Sequence, residues 1–255
     1  MAVSLVMKFG GSSVADAACL RRVAALVTEA LPLAPLVVLS AMGRTTNALF
    51  EAASLAEAGN LDGALATLAR IRAHHDATAR ELCGAPPPEL EADFQELELR
   101  LRGVALLREL SPRSLDALAA FGERLSTRIF AAFTGHPWFD ARSVVRTDGH
   151  FGEAAPDLTV LELQARTRLA PLLGSGRAVV TQGYIGATEE GLTTTLGRGG
   201  SDYTAALLGA ALGSTEVQIW TDVEGVLTAD PRIVPGALPI PELGFQEAAE
   251  LAAFG

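Results

Sequence analysis

Residues 193–202 bring together side chains that could bind an anionic substrate. The stretch combines hydroxyl groups with three glycines, the guanidinium of Arg198 and the carboxylate of Asp202. An alanine-rich run at residues 203–212 follows and predicts a helix whose N-cap is Ser201 or Asp202. Glycines let a backbone approach a ligand, and a helix N-terminus attracts negative charge. Taken alone, the stretch fits an anion site and an ordinary glycine turn equally well.

A second candidate anion site lies near the N-terminus. Residues 4–7 predict a short strand, which leads to Lys8, then to Gly10 and Gly11, and then to an alanine-rich helical pattern. Backbone amides and a helix dipole would both point at this turn, and Lys8 would add a point charge. The Gly-x-x-x-x-Gly-Lys-[Ser/Thr] phosphate loop is absent, so this signal is weak by itself.

A third turn follows the apolar, β-branched run at residues 35–39. It begins at Ser40 and is rich in hydroxyls, with a helix predicted to start near Asn47 and to be capped by Thr46 or Asn47. Ligands of open parallel sheets bind at the carboxyl ends of the strands, so the second and third turns could line one crevice.

The elements between these turns predict an α/β fold. Residues 49–133 are helical in pattern, and we interpret residues 89–110 as a solvated antiparallel helix. Within this region His74 and His75 are expected to be solvated, whereas Gly122 beside Glu123 indicates close helix packing or close approach of a ligand.

The remaining elements continue the alternation of strands and helices. Strands are predicted at residues 138–140, 177–181 and 217–220, and helices at residues 158–173 and from residue 246 onward. Such alternation favours a mainly parallel sheet that is covered by helices on both faces.

Composition excludes several classes of protein. The formal net charge of -10 and the absence of a basic cluster argue against nucleic acid as a partner. No apolar run is long enough to span a bilayer, and no targeting pattern is present, so we expect no membrane association and a cytoplasmic location. Only two cysteines and four histidines occur, so a Cys- or His-based metal site is not expected. Cys19 and Cys83 are predicted to be small apolar groups in a reducing compartment.

The order of five motifs resembles that of the aspartate kinases, within the amino-acid kinase superfamily. They are Lys8 to Gly11, Ser40 to Asn47, Gly122 with Glu123, Thr181 to Asp202, and Trp220 to Arg232. The resemblance implies a three-layer αβα sandwich around a mainly parallel sheet, with a helical excursion at about residues 49–133. It also implies transfer of a phosphoryl group from ATP to the β-carboxylate of L-aspartate, the first step towards lysine, threonine and methionine.

The same resemblance implies a role for each site residue. The catalytic pair would be Lys8, which stabilises the phosphoryl group, and Asp202, which holds Lys8. Arg198 would bind the α-carboxylate of aspartate and Glu123 its α-ammonium. The substrate-binding residues would be Ser40, Thr46, Glu123, Tyr184, Arg198 and Ser201. The nucleotide-binding residues would be Lys8, Gly10, Gly11, Thr221, Asp222, Leu227 and Arg232. Mg²⁺ would bridge phosphate oxygens, with mostly water in its remaining positions, and no residue is predicted as its ligand.

The chain departs from the family pattern at three places. Ser12 replaces the usual Thr, and Tyr184 replaces a common Phe. In the family, the chain continues past Gly255 with a nucleotide-binding lysine and two regulatory ACT domains. We therefore expect residues 1–255 to be a catalytic domain that is not inhibited by lysine or threonine and binds nucleotide weakly. A homo-oligomer or a fused regulatory domain is a possible partner.

Two other classes of function stay open from the sequence. One is a related kinase that acts on glutamate, acetylglutamate or a nucleotide, although Arg198 with Glu123 suits an amino acid better. The other is a catalytically weak domain that serves as a binding or assembly module. A dinucleotide-dependent dehydrogenase is excluded, because no Gly-x-Gly-x-x-Gly follows the first strand.

Overall fold

A computed structural model of the chain describes residues 5–174, 177–223 and 225–254. The chain divides into two compact units, Met1–Trp220 and Thr221–Gly255. The strands are β1 (Leu5–Phe9), β2 (Leu36–Leu39), β3 (Trp138–Phe139), β4 (Val179–Gln182), β5 (Ile185–Ala187), β6 (Thr193–Thr195) and β7 (Glu216–Trp220). The helices of the first unit are α1 (Ala17–Ala30), α2 (Thr45–Glu57), α3 (Leu61–Cys83), α4 (Pro88–Leu107), α5 (Pro112–Ala119), α6 (Phe121–Thr134), α7 (Leu158–Gln164), α8 (Ala170–Leu173) and α9 (Gly200–Leu212).

The main sheet of the first unit is parallel throughout, in the order β3-β4-β2-β1-β7. Side chains of β1 alternate between two apolar cores. Leu5, Met7 and Phe9 face the core shared with α1–α4 and α6, while Val6 faces the core shared with α7 and α9. A sheet buried on both faces by helices is the predicted three-layer αβα sandwich, which is confirmed.

A second, two-stranded sheet pairs β5 with β6 in antiparallel register. Thr193–Thr195 were predicted to belong to a glycine-rich turn, and this prediction is wrong. The three threonines form β6, and the turn begins only after it. The hairpin matters for the site because its second strand leads directly to Arg198.

The long helical excursion is more buried than predicted. Helix α4 presents Leu90, Phe94 and Leu97 to the core, together with the carboxylate of Asp93. The description of this helix as solvated therefore holds only for its outer face. His75 is fully buried between helical turns, which contradicts the expectation for that residue, whereas the neighbouring His74 is exposed.

Both predicted N-caps next to the site are wrong. Helix α9 begins at Gly200 with Gly199 as its N-cap, and α2 begins at Thr45 with Arg44 as its N-cap, in neither case with a side-chain capping bond. Gly199 can take this place because its φ of +72° is accessible to glycine. The side chains proposed as caps lie inside the first turns instead, where they are available to a ligand.

Both cysteines are free, with Cys19 buried and Cys83 half-buried, as predicted for small apolar groups. None of the helices in the described ranges combines the length and apolarity that a bilayer crossing demands.

The second unit is a loop region followed by a helix. Val226 and Leu227 approach the segment around Pro239, with Thr228 N–H donating to Leu238 C=O over 2.9 Å. Helix α10 (Phe245–Phe254) then closes the unit, one residue earlier than predicted.

Candidate active site

A cleft of about 620 Å³ opens at the carboxyl ends of β1, β2 and β4. All eight residues predicted to be catalytic or substrate-binding line this cleft: Lys8, Ser40, Thr46, Glu123, Tyr184, Arg198, Ser201 and Asp202. Its other lining residues are Asn47, Phe50, Gly152, Gly197, Gly199 and Gly200. The fold thus gathers residues that lie up to 194 positions apart, although their roles stay a prediction.

Lys8 forms an ion pair with Asp202 inside the cleft. Its Nζ lies 2.5 Å from Asp202 Oδ1, and only 10% of the lysine side chain is exposed. The alternation of β1 points Lys8 to the same face as Val6, where α9 supplies the carboxylate. Lys8 is also the only lysine among the 255 residues, the other basic side chains being arginines.

Gly10 and Gly11 form a tight turn after β1. A Cβ on Gly10 would lie 3.6 Å from Lys8 Nζ, and one on Gly11 would lie 3.0 Å from the carbonyl oxygens of Ala41 and Gly43. The glycines therefore keep space beside the ammonium and let two turns approach each other. The Gly10 amide donates to Trp220 C=O over 3.3 Å, so this predicted phosphate donor already has an acceptor.

Glu123 lies in the first turn of α6 with a relative exposure of 3%. Its Oε1 accepts a hydrogen bond from Ala41 N–H over 3.2 Å, but its Oε2 has no partner among the described residues. Burial raises the pKa of this carboxyl to about 8. A Cβ on Gly122 would lie 2.7 Å from Ala41 Cβ, so the glycine serves close packing of α6 against the turn after β2.

Arg198 extends from a turn between two glycines in left-handed conformations, Gly197 (φ +75°) and Gly199 (φ +72°). The guanidinium is exposed, and it forms no ion pair within the described ranges. An unpaired arginine in a cleft is suited to bidentate binding of a carboxylate.

Tyr184 is held to the start of α9 by a hydroxyl that sequence reasoning missed. Thr204 Oγ1 accepts from Tyr184 N–H over 2.9 Å and donates to Gly200 C=O over 2.7 Å. Thr204 is fully buried within an alanine-rich helical run, so no sequence pattern distinguished it from a packing residue. Tyr184 itself has a φ of +69°, and burial raises the pKa of its phenol.

Ser40 and Thr46 belong to the turn after β2 and the first turn of α2. The Ser40 carbonyl accepts from Ser126 Oγ over 2.8 Å, and its amide donates to Phe9 C=O over 3.1 Å. This fixed backbone leaves the Ser40 hydroxyl at the cleft wall.

The second unit contains a separate groove of about 830 Å³. Asp222, Leu227 and Arg232 line it, whereas Thr221 does not. Arg232 is paired with Asp230 over 2.6 Å, and Thr221 Oγ1 donates to Asp222 over 3.1 Å. Three of the four residues predicted for the nucleotide in this region therefore share one groove, and their function stays a prediction.

Comparison with known proteins places the chain in a family. The family model described as "Amino acid kinase family" matches residues 4–255. The chain belongs to this family of amino acid kinases. The lysine-sensitive aspartokinase 3 of Escherichia coli K12 is 41% identical over all of this chain and 57% of its own length. The chloroplastic aspartokinase 3 of Arabidopsis thaliana is 43% identical over 99% of the chain and 47% of its own length.

Solved structures agree with this assignment. The complex of E. coli aspartokinase III with aspartate and ADP (R-state) superposes on this amino acid kinase with a TM-score of 0.91 at 42% identity, covering 99% of this chain and 56% of that one. The complex of the same enzyme with lysine and aspartate (T-state) gives 0.86 at 41% identity. The chain spans about half the length of the curated relatives it matches.

The described residues of this amino acid kinase form no protein cage for a metal ion. Within the described residues, no group of three or more Cys, His, Asp or Glu side chains is arranged to hold one. Asp202, the carboxylate closest to Lys8, is already engaged by its ammonium. A divalent cation would therefore have to bind mainly through phosphate oxygens and water.

Proposed function

We propose that the chain is the catalytic domain, residues 1–255, of an aspartate kinase. It transfers the γ-phosphoryl group of ATP to the β-carboxylate of L-aspartate and yields ADP and 4-phospho-L-aspartate. The observation that carries this proposal is the pair of ionisable groups that line one cleft without an ion-pair partner among the described residues, the buried carboxyl of Glu123 and the guanidinium of Arg198. They match the two opposite charges that every α-amino acid presents.

The zwitterion would be recognised by charge matching. Arg198 binds the α-carboxylate with two parallel N–H donors, and Glu123 Oε2 accepts from the α-ammonium. The ammonium group lowers the pKa of Glu123 from its ligand-free value of about 8, because the ionised carboxylate then has a cationic partner. Ser40, Thr46, Ser201 and Tyr184 line the same cleft, and their hydroxyls would bind the rest of the substrate.

Phosphoryl transfer needs positioning and charge stabilisation but no general base. The β-carboxylate of aspartate is ionised near neutral pH, so one of its oxygens can attack the γ-phosphorus directly. The new O–P bond forms while the bond from the γ-phosphorus to the β,γ-bridging oxygen breaks, and that electron pair leaves with ADP. Lys8 stabilises the charge on the transferring group, and Asp202 holds the Lys8 ammonium in place.

The nucleotide side of the proposal rests on fewer observations. Gly10 and Gly11 border Lys8, and Asp222, Leu227 and Arg232 line the groove of the second unit, with Thr221 adjacent in sequence. We propose these residues for ATP, together with Mg²⁺, which when bound would neutralise charge on the phosphates. The solved relative that binds aspartate and ADP supports the choice of both ligands. The proposed role is the first step towards lysine, threonine and methionine, in the cytoplasm.

Formation of aspartyl hydroxamate in the presence of ATP, L-aspartate and hydroxylamine tests the proposal. Lys8→Ala is expected to lower kcat by about 100- to 1,000-fold, the usual loss for a group that stabilises transition-state charge. Lys8→Met separates loss of charge from loss of packing, because it fills most of the same volume. Equal rates in all three proteins would refute the role of Lys8. ADP release that is faster with glutamate, acetylglutamate or UMP than with aspartate would refute the substrate; ADP is the common product of all four reactions.

A further inference from the structure

Asp116 is a third buried carboxylate, and it lies in helix α5 outside the cleft. Its relative exposure is 3%. Its Oδ2 accepts from the backbone N–H groups of Gly152 and Thr195, each over 2.9 Å, and its Oδ1 accepts from Thr195 Oγ1 over 2.8 Å. Within the described ranges it forms no ion pair, so three hydrogen-bond donors alone satisfy it.

The groups that Asp116 binds belong to two segments of the cleft wall. Gly152 lines the cleft itself, and Thr195 ends strand β6 three residues before Arg198. The two segments also bind each other, because Ala154 N–H donates to Thr195 C=O over 2.9 Å. A Cβ on Gly197 would lie 3.4 Å from the carbonyl oxygen of Gly152, so the turn that carries Arg198 packs directly against the segment that contains Gly152.

One carboxylate thus fixes the start of the turn on which Arg198 depends. Charge-assisted hydrogen bonds to buried backbone amides are stronger than neutral ones and hold their partners in a narrow geometry. If Asp116 carried an amide instead, its oxygen would accept from the two N–H groups without a full charge, and the Thr195 hydroxyl would have to change from donor to acceptor, so both contacts would weaken and the wall would shift. A shift of about 1 Å in a substrate-binding group can cost on the order of 100-fold in efficiency.

We propose that Asp116 is a positioning residue that sets the location of Arg198 for the α-carboxylate of the amino acid substrate. The inference rests on the proposed function, since it assigns Arg198 to that carboxylate. It makes helix α5, part of the excursion away from the sheet, a determinant of substrate affinity. Asp116 acts through the backbone amides of Gly152 and Thr195 and through the Thr195 hydroxyl, and it touches no reacting atom.

Steady-state kinetics of Asp116→Asn test the inference. The variant is expected to raise KM for aspartate by about tenfold to 100-fold while kcat and KM for ATP stay within about twofold of wild type. Asp93→Asn is the matched control, because Asp93 is equally buried but is bound to arginines away from the cleft. A purely structural role would lower the active fraction in both variants and leave KM for aspartate unchanged, which would overturn the proposal.

Thr195 offers a milder pair of variants in case Asp116→Asn does not fold. Thr195→Val removes the hydroxyl that binds Asp116 Oδ1 and is expected to raise KM for aspartate by about fivefold, as for the loss of one hydrogen bond. Thr195→Ser keeps that hydroxyl and should restore the wild-type KM. Equal KM values in the two variants would contradict the proposal.

Hydrogen exchange separates this inference from the proposed function. If wild type does not phosphorylate aspartate, the proposed function has failed. The clamp, by which we mean the hydrogen bonds from Gly152 and Thr195 to Asp116, is still tested by the exchange of the Gly152 and Thr195 amides. Their exchange should accelerate in Asp116→Asn by more than the change in global stability accounts for, whereas in Asp93→Asn it should change only as far as global stability falls. Unchanged exchange at both amides would refute the clamp even if the wild-type enzyme is active.

Discussion

Asp93 of helix α4 contacts helix α6, and Glu123 belongs to α6. Both carboxylates are buried, yet their surroundings differ completely. Asp93 is 2% exposed and binds two arginines of α6, Arg128 over 2.6 Å and Arg124 by a shorter contact. Glu123 is 3% exposed and receives one backbone N–H, with its second oxygen unpaired among the described residues. The pKa of Glu123 is raised to about 8 by burial. Adjacent positions of one helix, Glu123 and Arg124, therefore belong to two different kinds of site.

The difference distinguishes a carboxylate that stabilises the fold from one prepared for a ligand. A buried charge that already has its partners contributes to the folded state, and removing one partner leaves the others uncompensated. A buried carboxyl without a cation is strained in its ionised form, and such groups concentrate at functional sites. Asp93→Asn and Glu123→Gln each change one of the two carboxylates and leave the other intact.

The largest expected effect is on stability, in Asp93→Asn. Removal of the carboxylate leaves Arg124 and Arg128 without their shared buried partner, so the free energy of unfolding should fall by about 3–5 kcal/mol. Urea denaturation measures this change, and Glu96→Gln is the control, since that more exposed partner of Arg124 should cost less than about 1 kcal/mol. KM for aspartate should not change in the folded fraction. If the free energy of unfolding falls by less than about 1 kcal/mol in Asp93→Asn, Asp93 does not stabilise the fold and its contrast with Glu123 is wrong.

The opposite pattern is expected for Glu123→Gln. Aspartate binding should weaken by about 2–5 kcal/mol, the range for truncating one partner of a buried charge pair. The ligand-free protein should be no less stable than wild type. Calorimetric titration with aspartate and urea denaturation on the same sample measure both quantities. Simultaneous loss of stability and of binding would mean that Glu123 is part of the scaffold like Asp93.

The pH dependence of Glu123 has a definite sign. Its folded pKa of about 8 exceeds the unfolded value of 4.5, so its contribution to stability is complete below pH 4.5 and is lost as pH rises through 8. The wild-type protein should therefore lose stability relative to Glu123→Gln between these values. Urea denaturation at pH 6 and pH 9 checks this, and parallel curves for the two proteins would contradict it.

A smaller pH effect is expected from His75, which lies in α3, away from the comparison. Burial lowers its pKa from 6.5 to about 4, so the stability that it contributes is present above pH 6.5 and lost as pH falls towards 4. Between pH 6.5 and pH 5 the loss should reach about 1.5 kcal/mol. His75→Gln removes the titration and should flatten this part of the stability curve. If the free energy of unfolding falls with pH below 6.5 equally in wild type and His75→Gln, other groups control acid unfolding.

Sequence reasoning found the sheet and the cleft because both follow from local patterns. Apolar runs followed by glycine- and hydroxyl-rich turns indicated where strands end, and parallel strands end on one side. The resemblance to a family then supplied roles for Glu123 and Arg198, which no spacing argument could have paired.

The buried polar contacts could not be predicted, because they depend on tertiary neighbours. Asp116 binds Thr195, which is 79 positions away, and Asp93 binds Arg124, 31 positions away. In the sequence Asp93 and His75 look like ordinary polar residues on solvated helix faces. Their burial follows from the packing of α3, α4 and α6, which local periodicity does not determine.

Titration of Glu123 by NMR tests the central claim most directly. Carbon-13 spectra of the glutamate side-chain carboxyl groups, compared between wild type and Glu123→Gln, identify its signal. The ligand-free protein should show a midpoint near pH 8, and saturating L-aspartate should lower that midpoint markedly as the α-ammonium pairs with the carboxylate. A ligand-free midpoint between pH 4 and pH 5, or one that aspartate does not move, would contradict the assignment of Glu123 as the group that binds the substrate ammonium.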